Sequence, residues 1–567
     1  MHSPDGRYSI VYNGEIYNYR ELRQELTNLG WSFKSETDTE VLIASWAIWR
    51  DACLSKLEGM FAFVVLDRLH GDLNLVRDAF GIKPLFYLRH SHAIYFASEI
   101  PALLKLLPFR LGLNLDAAYR YLLHGKYDNG EDTFYERLLQ IKPGHKLSVK
   151  ISNLAATLPT RWWWPTIDER TDLSITQAAD QIRELFLDSV RLNLRSDVAV
   201  GAALSGGIDS SSIVCAMRHL EPRMPIHTFS YVALGSLHNE EKWVDLVNSK
   251  VGAISHKVAV TAQDLITDVD DLINSQGEPF GGTSIYAQYK VFKLARENGI
   301  SVTLDGQGAD ELLAGYNGYP SARLHSLFDR NEFAEAMHFL YAWSTWPGRS
   351  FDQVVRMSLS QLIPASVRLM LRRYLISEAL IPNWLDQSKF LNGDIKKIEE
   401  NASPACSESS GRRLVHALRS ELTGEGLHAL LRHGDRNSMR WSVESRVPFL
   451  TTNIAEFLLR LPERYLLSPA AETKHVFRLA MRGIVPDAIL DRRDKIGFAT
   501  PELVWIKELS PVAMGWLKVA DQIPFLNAFQ TRTEIQSVVD GKTAVTPQLW
   551  RLINYCKWAS QGNVLLR

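Results

Sequence analysis

Cysteine is scarce in this chain: Cys53, Cys215, Cys406 and Cys556 are scattered through 567 residues with no Cys-x-x-Cys pair. Such spacing supports neither a zinc site nor a disulfide framework, and each thiol reads as a small buried apolar group. Charge of one sign is lacking as well. The 63 basic and 64 acidic residues leave a formal net charge of −1, which gives no field for nucleic acid or an anionic membrane. No apolar run approaches a membrane span, and the start Met1-His2-Ser3-Pro4-Asp5-Gly6 lacks the charged and apolar regions of a signal peptide. A cytoplasmic location and small-molecule partners held in pockets are the expectation, and a homodimer is allowed. With 46% hydrophobic and 22% charged residues the chain is soluble and globular in composition, and its length requires at least two domains.

What is present is a phosphate-shaped turn. Val200-Gly201-Ala202-Ala203-Leu204 reads as a buried strand, Ser205-Gly206-Gly207 lets the chain bend tightly, and Ser210 onward starts a helix whose free N–H groups face the turn. No Gly-Lys-Ser/Thr follows, so this is not the loop of the P-loop NTPases. An acid, Asp209, sits inside the loop instead. A carboxylate beside hydroxyls and backbone N–H groups suits a pyrophosphate whose charge is shared with Mg²⁺. The run resembles the SGGxDS loop of the PP-loop ATP pyrophosphatases, which split ATP between the α and β phosphates. A second apolar strand, Ser301 to Leu304, leads into Asp305-Gly306-Gln307-Gly308-Ala309-Asp310-Glu311. Asp310 there is placed to offer a second Mg²⁺ contact opposite Asp209, while Glu311 also fits an acidic helix start.

The pattern divides the chain in three. Residues 1–150 mix short strands (Ser9 to Tyr12, Phe61 to Leu66, Leu73 to Val76, Ala93 to Phe96) with helices from Tyr19 to Leu29 and Glu40 to Trp49. Residues 151–173 break the periodicity and read as a linker, with Trp162-Trp163-Trp164 packing the seam between domains. From 174 to 567, long helices alternate with parallel-type strands and then dominate, the signature of a doubly wound α/β domain with a helical C-terminal part.

In combination these motifs resemble the glutamine-hydrolysing asparagine synthetases. The synthetase half carries the two loops, Gln276-Gly277-Glu278-Pro279-Phe280, Asp435-Arg436-Asn437-Ser438-Met439, Val443-Glu444-Ser445-Arg446-Val447-Pro448-Phe449-Leu450 and Arg493-Asp494-Lys495-Ile496-Gly497-Phe498. The first half carries Tyr12-Asn13-Gly14-Glu15-Ile16-Tyr17-Asn18, Thr37-Asp38-Thr39-Glu40-Val41, Gly59-Met60-Phe61-Ala62, Arg77-Asp78 with Gly81-Ile82-Lys83-Pro84-Leu85, and Ala97-Ser98-Glu99-Ile100. The resemblance implies an N-terminal nucleophile hydrolase domain, an αββα sandwich that is incomplete here, followed by a PP-loop adenine-nucleotide-binding domain.

It also implies roles. Leu204 and Tyr231 would frame adenine, Asp305 and Gly306 would lie beside the nucleotide, and Ser205, Gly206, Gly207, Asp209, Ser210 and Ser211 would cradle pyrophosphate. Asp209 and Asp310 would hold Mg²⁺, Lys495 would stabilise phosphate charge, and Asp435 would help receive aspartate. Asn13 and Gly14 would form an oxyanion hole for glutamine, with Glu15 and Asp38 completing its site. The implied activity adenylates the β-carboxylate of aspartate and transfers ammonia to it, giving asparagine, AMP and pyrophosphate. The family's terminal cysteine nucleophile is absent: the sequence begins Met1-His2-Ser3, no cysteine can substitute, and Ser3 would serve only after removal of Met1 and His2. The expectation is a start placed too late, with the segment bearing the cysteine upstream. Gln307 stands where some relatives have an acid. Two alternatives stay open: an amide-forming ligase acting on another carboxylate in peptide, antibiotic or exopolysaccharide biosynthesis, and a non-catalytic nucleotide-binding homologue.

Overall fold

The structure is a computed structural model and describes residues 1–154, 157–233, 239–362, 382–389, 411–424, 426–494 and 500–566. In the first half the described strands are β1 Tyr8–Ile16, β2 Gly59–Asp67, β3 Asp72–Arg77, β4 Phe86–His90, β5 Ala93–Ala97, β6 Leu139–Gln140, β7 His145–Lys150 and β8 Thr160–Arg161. They form two antiparallel sheets, β1-β2-β3-β7-β8 and β5-β4-β6. The inner faces meet through Ala62, Val64 and Leu75 on one side and Leu85, Tyr87 and Ile141 on the other. Helices α1 Tyr19–Asn28 and α2 Asp38–Trp49 cover the first sheet. Leu22 and Leu26, one turn apart, and Val41 and Trp46 reach Phe61 and Phe63 there. Helices α3 Ile100–Leu106 and α4 Leu115–His124 cover the second sheet through Leu103 and Leu122 against Phe86 and Leu88. The result is the αββα sandwich.

The second half is built on a five-stranded parallel sheet of β9 Val200–Ala203, β10 His227–Tyr231, β11 Ile254–Val258, β12 Val302–Leu304 and β13 Glu444–Arg446. Its order is β11-β10-β9-β12-β13. The chain therefore winds outward from β9 to β11 and then crosses to the other side of β9, which makes the crevice above β9 and β12 the topological switch point. Around the sheet lie α5 Ile175–Asn193, opened by a reciprocal Ser174–Gln177 capping box, α6 Ile208–Leu220, α7 Glu241–Val251, α8 Ala262–Gln276, α9 Ser284–Glu297 and α10 Ala309–Leu313.

The two halves share a core rather than touching at a thin seam. Leu103, Tyr121, Leu122 and Phe134 of the first half are buried with Leu272, Ile273 and Tyr286 and with Leu509, Trp550 and Trp558 from the C-terminal helices. The tryptophan cluster packs as a seam. Trp162 stacks on Phe61 at 6.1 Å, Trp163 meets Phe80 at 4.9 Å, and Trp164 lies between the Arg161 and Arg419 guanidiniums at 3.9 and 4.8 Å. The stretch read as a linker also contributes β8, which pairs with β7. Cys53, Cys215 and Cys556 are buried free thiols, each pushed up to about 12 by burial, while Cys406 lies outside the described residues.

Candidate active site

The loop after β9 and the loop after β12 open into one cleft of about 780 Å³. Two glycines make their approach feasible. Gly206 has φ +80°, and an added Cβ would meet the Trp243 Cβ at 2.7 Å; at Gly306 it would meet the Asp209 Cβ at 3.1 Å. The first loop is tied internally: Ser205 N–H donates to Ser210 Oγ at 3.1 Å, and Gly207 N–H to Ser205 Oγ at 3.4 Å. Arg492 fastens it from outside, donating to the Gly206 carbonyl at 2.8 Å while pairing with Glu240 at 2.9 Å and Asp494 at 3.0 Å.

At the cleft floor the Asp209 and Asp310 carboxylates converge on Lys474, whose Nζ pairs with Asp209 Oδ1 and lies 2.7 Å from Asp310 Oδ1. Burial alone would lower the Lys474 pKa, but the two carboxylates outweigh it and hold the ammonium above the usual lysine range. Lys474 adopts a left-handed backbone, φ +57°, and its N–H donates to the Leu313 carbonyl at 3.1 Å, so its position is imposed by α10. Burial pushes Asp305 up to about 6, against stabilising N–H groups of Gly306 and Gln307. Burial and the Asp310 charge push Glu311 up to about 7, with the Tyr316 hydroxyl donating to it at 2.7 Å.

Of the residues expected to bind ATP, Leu204, Ser205, Gly207, Asp209, Ser210, Asp305 and Gly306 line the cleft, as does Asp310. Gly206 stands behind it as the acceptor for Arg492, and Ser211 is fully buried within α6. Tyr231 ends β10 outside the cleft lining; Phe229, two residues earlier on the same strand, reaches it. Lys495 lies outside the described residues. Asp435 does not come to the cleft: its carboxylate pairs with Lys83 of the first half at 2.9 Å, with both side chains buried. The structure shows it as one side of an ion pair between the halves.

The Asp209 and Asp310 pair fits a magnesium ion. Two carboxylates already converge on one cationic point at the edge of a phosphate-shaped loop, and among the described residues no third His, Cys, Asp or Glu joins them. Mg²⁺ commonly takes one or two carboxylates and fills its shell with phosphate oxygens and water.

In the first half, β1 brings Asn13, Gly14 and Glu15 beside the start of α2. Asp38 Oδ2 accepts from the Tyr12 hydroxyl at 2.8 Å and from the Ile16 N–H at 3.1 Å, which ties α2 to β1. Gly14 has φ +152°, and a Cβ there would meet the Met60 carbonyl oxygen at 2.0 Å. Burial, then the Asp38 and Glu444 charges, push Glu15 up to about 7.

A family model described as asparagine synthase matches residues 181–560, and one described as glutamine amidotransferase domain matches residues 1–164. The chain belongs to the asparagine synthase family. It is 25% identical over 561 residues to asparagine synthetase [glutamine-hydrolyzing] 1 of Bacillus subtilis (strain 168), covering 98% of this chain and 86% of that one. It is 30% identical over 582 residues to a putative asparagine synthetase [glutamine-hydrolyzing] of Mycobacterium tuberculosis (strain ATCC 25618 / H37Rv), covering 98% and 84%. It is also 25% identical over 544 residues to amidase chry2 of Gibberella zeae, covering 89% and 78%. Membership makes the protein a ligase-type enzyme of ATP-dependent amidation.

For this asparagine synthase family member, sequence reasoning missed Lys474 and Arg492. Glu472-Thr473-Lys474-His475 reads as the polar start of a surface helix, and only the left-handed backbone and the two facing carboxylates reveal its place. Arg492 precedes the Arg493-Asp494-Lys495 motif by one residue, which was the available signal. Among the described residues, no helix is long and apolar enough to cross a membrane.

Proposed function

We propose that the protein adenylates the β-carboxylate of aspartate with ATP and transfers ammonia, drawn from glutamine, to give asparagine, AMP and pyrophosphate. The observation that carries this reading is the meeting of Asp209, Asp310 and Lys474 at the SGGIDS loop, at the switch point of a parallel sheet. A carboxylate is a poor electrophile, so one of its oxygens attacks the α-phosphorus, the bond to the β-phosphate oxygen breaks, and pyrophosphate leaves. Ammonia then adds to the carbonyl carbon, loses a proton, and expels AMP. The N–H groups opening α6, with Ser205, hold the departing pyrophosphate, and Lys474 offsets the charge that develops there. Asp209 and Asp310 would hold Mg²⁺, which when bound spreads the phosphate charge.

The domain division at residues 150 and 173, glutamine binding by Asn13, Gly14, Glu15 and Asp38, and a cytoplasmic location belong to the same proposal. A second reading, a bulkier carboxylate, is favoured by Trp343, Trp346 and Arg349 in the cleft lining, with Arg493 over Trp346 at 5.9 Å. Pyrophosphate release from ATP and Mg²⁺ across a panel of carboxylic acids tests both. Stimulation by aspartate above all others is the expected result. Stimulation by a larger acid alone replaces aspartate, and ATP binding without pyrophosphate release under any acid overturns the ligase reading.

A further inference from the structure

Behind the α9 wall of the cleft runs a chain of buried hydrogen bonds that the phosphate chemistry leaves unused. It begins at Tyr127, whose hydroxyl accepts the Gly281 N–H at 2.9 Å and meets His433 Nε2 at 2.9 Å. His433 Nδ1 lies 2.9 Å from Gln276 Oε1, and Gln276 Nε2 donates to Asn437 Oδ1 at 2.9 Å. Asn437 Nδ2 donates to the Ile285 carbonyl and to Gln288 Oε1, each at 3.0 Å. A backbone carbonyl can only accept, so Asn437 must turn its Nδ2 toward Ile285. Its oxygen then faces Gln276, which presents nitrogen to Asn437 and oxygen to His433. Burial holds His433 well below the usual histidine range, so the ring is neutral. Its one proton sits on Nδ1, and Nε2 accepts from the Tyr127 hydroxyl.

The same logic fixes the far end. Gln288 lines the cleft and gives its oxygen to Asn437. Its Nε2 carries two N–H groups with no protein acceptor among the described residues. Gln288 is half-buried and lines the cleft, so these N–H groups are open to an acceptor that a ligand brings there. One turn along α9, roughly 5 Å away, the wall changes character: Val291 and Phe292, with Phe229 and Ala203, make an apolar corner suited to a flat base. Gln288 lies on the other side of that corner, toward Ile285, Leu430 and His433, its amide nitrogen 3.9 Å from where a Cβ on Gly434 would stand.

We infer that Gln288 is a specificity-determining residue whose amide N–H groups hold an oxygen of the acyl substrate, oriented by the Tyr127–His433–Gln276–Asn437 relay. The assignment rests on the reading that this cleft activates a carboxylate. A site that hydrogen-bonds a substrate oxygen rejects analogues without it, because its own donor is then stranded. The acid that the wild-type protein activates best serves as the probe, with pyrophosphate release as the readout. Gln288→Leu raises KM for that acid at least tenfold and leaves KM for ATP within twofold. Gln288→Glu, nearly isosteric at a half-buried position and able to keep an oxygen toward Asn437, raises the acid's KM further by setting one carboxylate against another. Tyr127→Phe removes the O–H that fixes the His433 proton and shifts the acid's KM in the same direction by less. An unchanged acid KM in both Gln288 variants, or a rise confined to ATP, overturns the assignment while the ligase reading stands. A wild-type protein that activates no carboxylate overturns both.

Discussion

Lys474 is the residue on which the phosphate end of the cleft depends, because it brings an ammonium between two carboxylates that would otherwise repel. Its charged state is secured by that position: Asp209 and Asp310 outweigh burial, so it stays an ammonium across the physiological range. Removing a single preorganised donor from such a site costs about 10²–10³ in rate. Lys474→Met is therefore expected to lose pyrophosphate release by about that factor, while bound ATP is still detectable by calorimetry. A variant within twofold of wild type would remove Lys474 from the chemistry. Nothing in the sequence marks this lysine, since charged residues at a helix start are ordinary, whereas the two loops it serves are legible as glycines and acids at strand ends. Asp435 shows the converse: it sits in a recognisable motif, yet its carboxylate is committed to Lys83.

At the scale of the element, β1 was legible in part, as Ser9 to Tyr12, and α2 as Glu40 to Trp49; the Thr37 cap, whose hydroxyl accepts the Glu40 N–H at 3.3 Å, starts α2 two residues earlier, at Asp38. The three-residue β13 was not, because a short strand made of Glu444, Ser445 and Arg446 has no apolar period to read. Its arrival beside β12 places the Glu444 charge near Glu15 on β1, an effect no local pattern can announce. Glu15 titrates near 4.5 when unperturbed and is pushed up to about 7 in the fold, so the native state binds the proton more tightly than the unfolded chain. Its contribution to stability is complete below about 4.5 and is lost as pH rises through about 7. Thermal scans between pH 5 and 8 should show the unfolding temperature falling toward the alkaline side, with a shallower fall in Glu15→Gln. Equal slopes in the two proteins would contradict the link between Glu15 burial and stability.

At the scale of the whole molecule, the doubly wound half could be read from the alternation of strands and helices and the αββα half from the family resemblance, but the joint between them, beyond its tryptophan seam, could not. It is made by side chains far apart in sequence: the Arg77-Asp78 to Pro84 motif is a rigid bracket. Arg77, fully buried, donates to the carbonyls of Lys83, Gly81 and Ile141 at 2.8, 2.8 and 2.7 Å. Asp78 accepts the N–H groups of Phe80, Ile82 and Lys83, each at 3.0 Å. The bracket projects Lys83 onto Asp435, on the helix Leu427–Arg440 whose Leu430 and His433 line the cleft. Any shift of the bracket is thereby passed to the helix that backs the acyl end of the site. Breaking one side of a buried ion pair strands the other charge and costs about 3–5 kcal/mol, whereas replacing both partners with apolar groups is close to neutral. Lys83→Met and Asp435→Leu should each lower the unfolding temperature and hasten proteolysis between the halves. The double variant should recover most of the loss in a double-mutant cycle followed by calorimetry. Because the bracket also orients the cleft helix, the single variants should raise KM for the activated acid while leaving KM for ATP in place. Additive losses in the double variant would show that Lys83 and Asp435 act independently rather than as a pair.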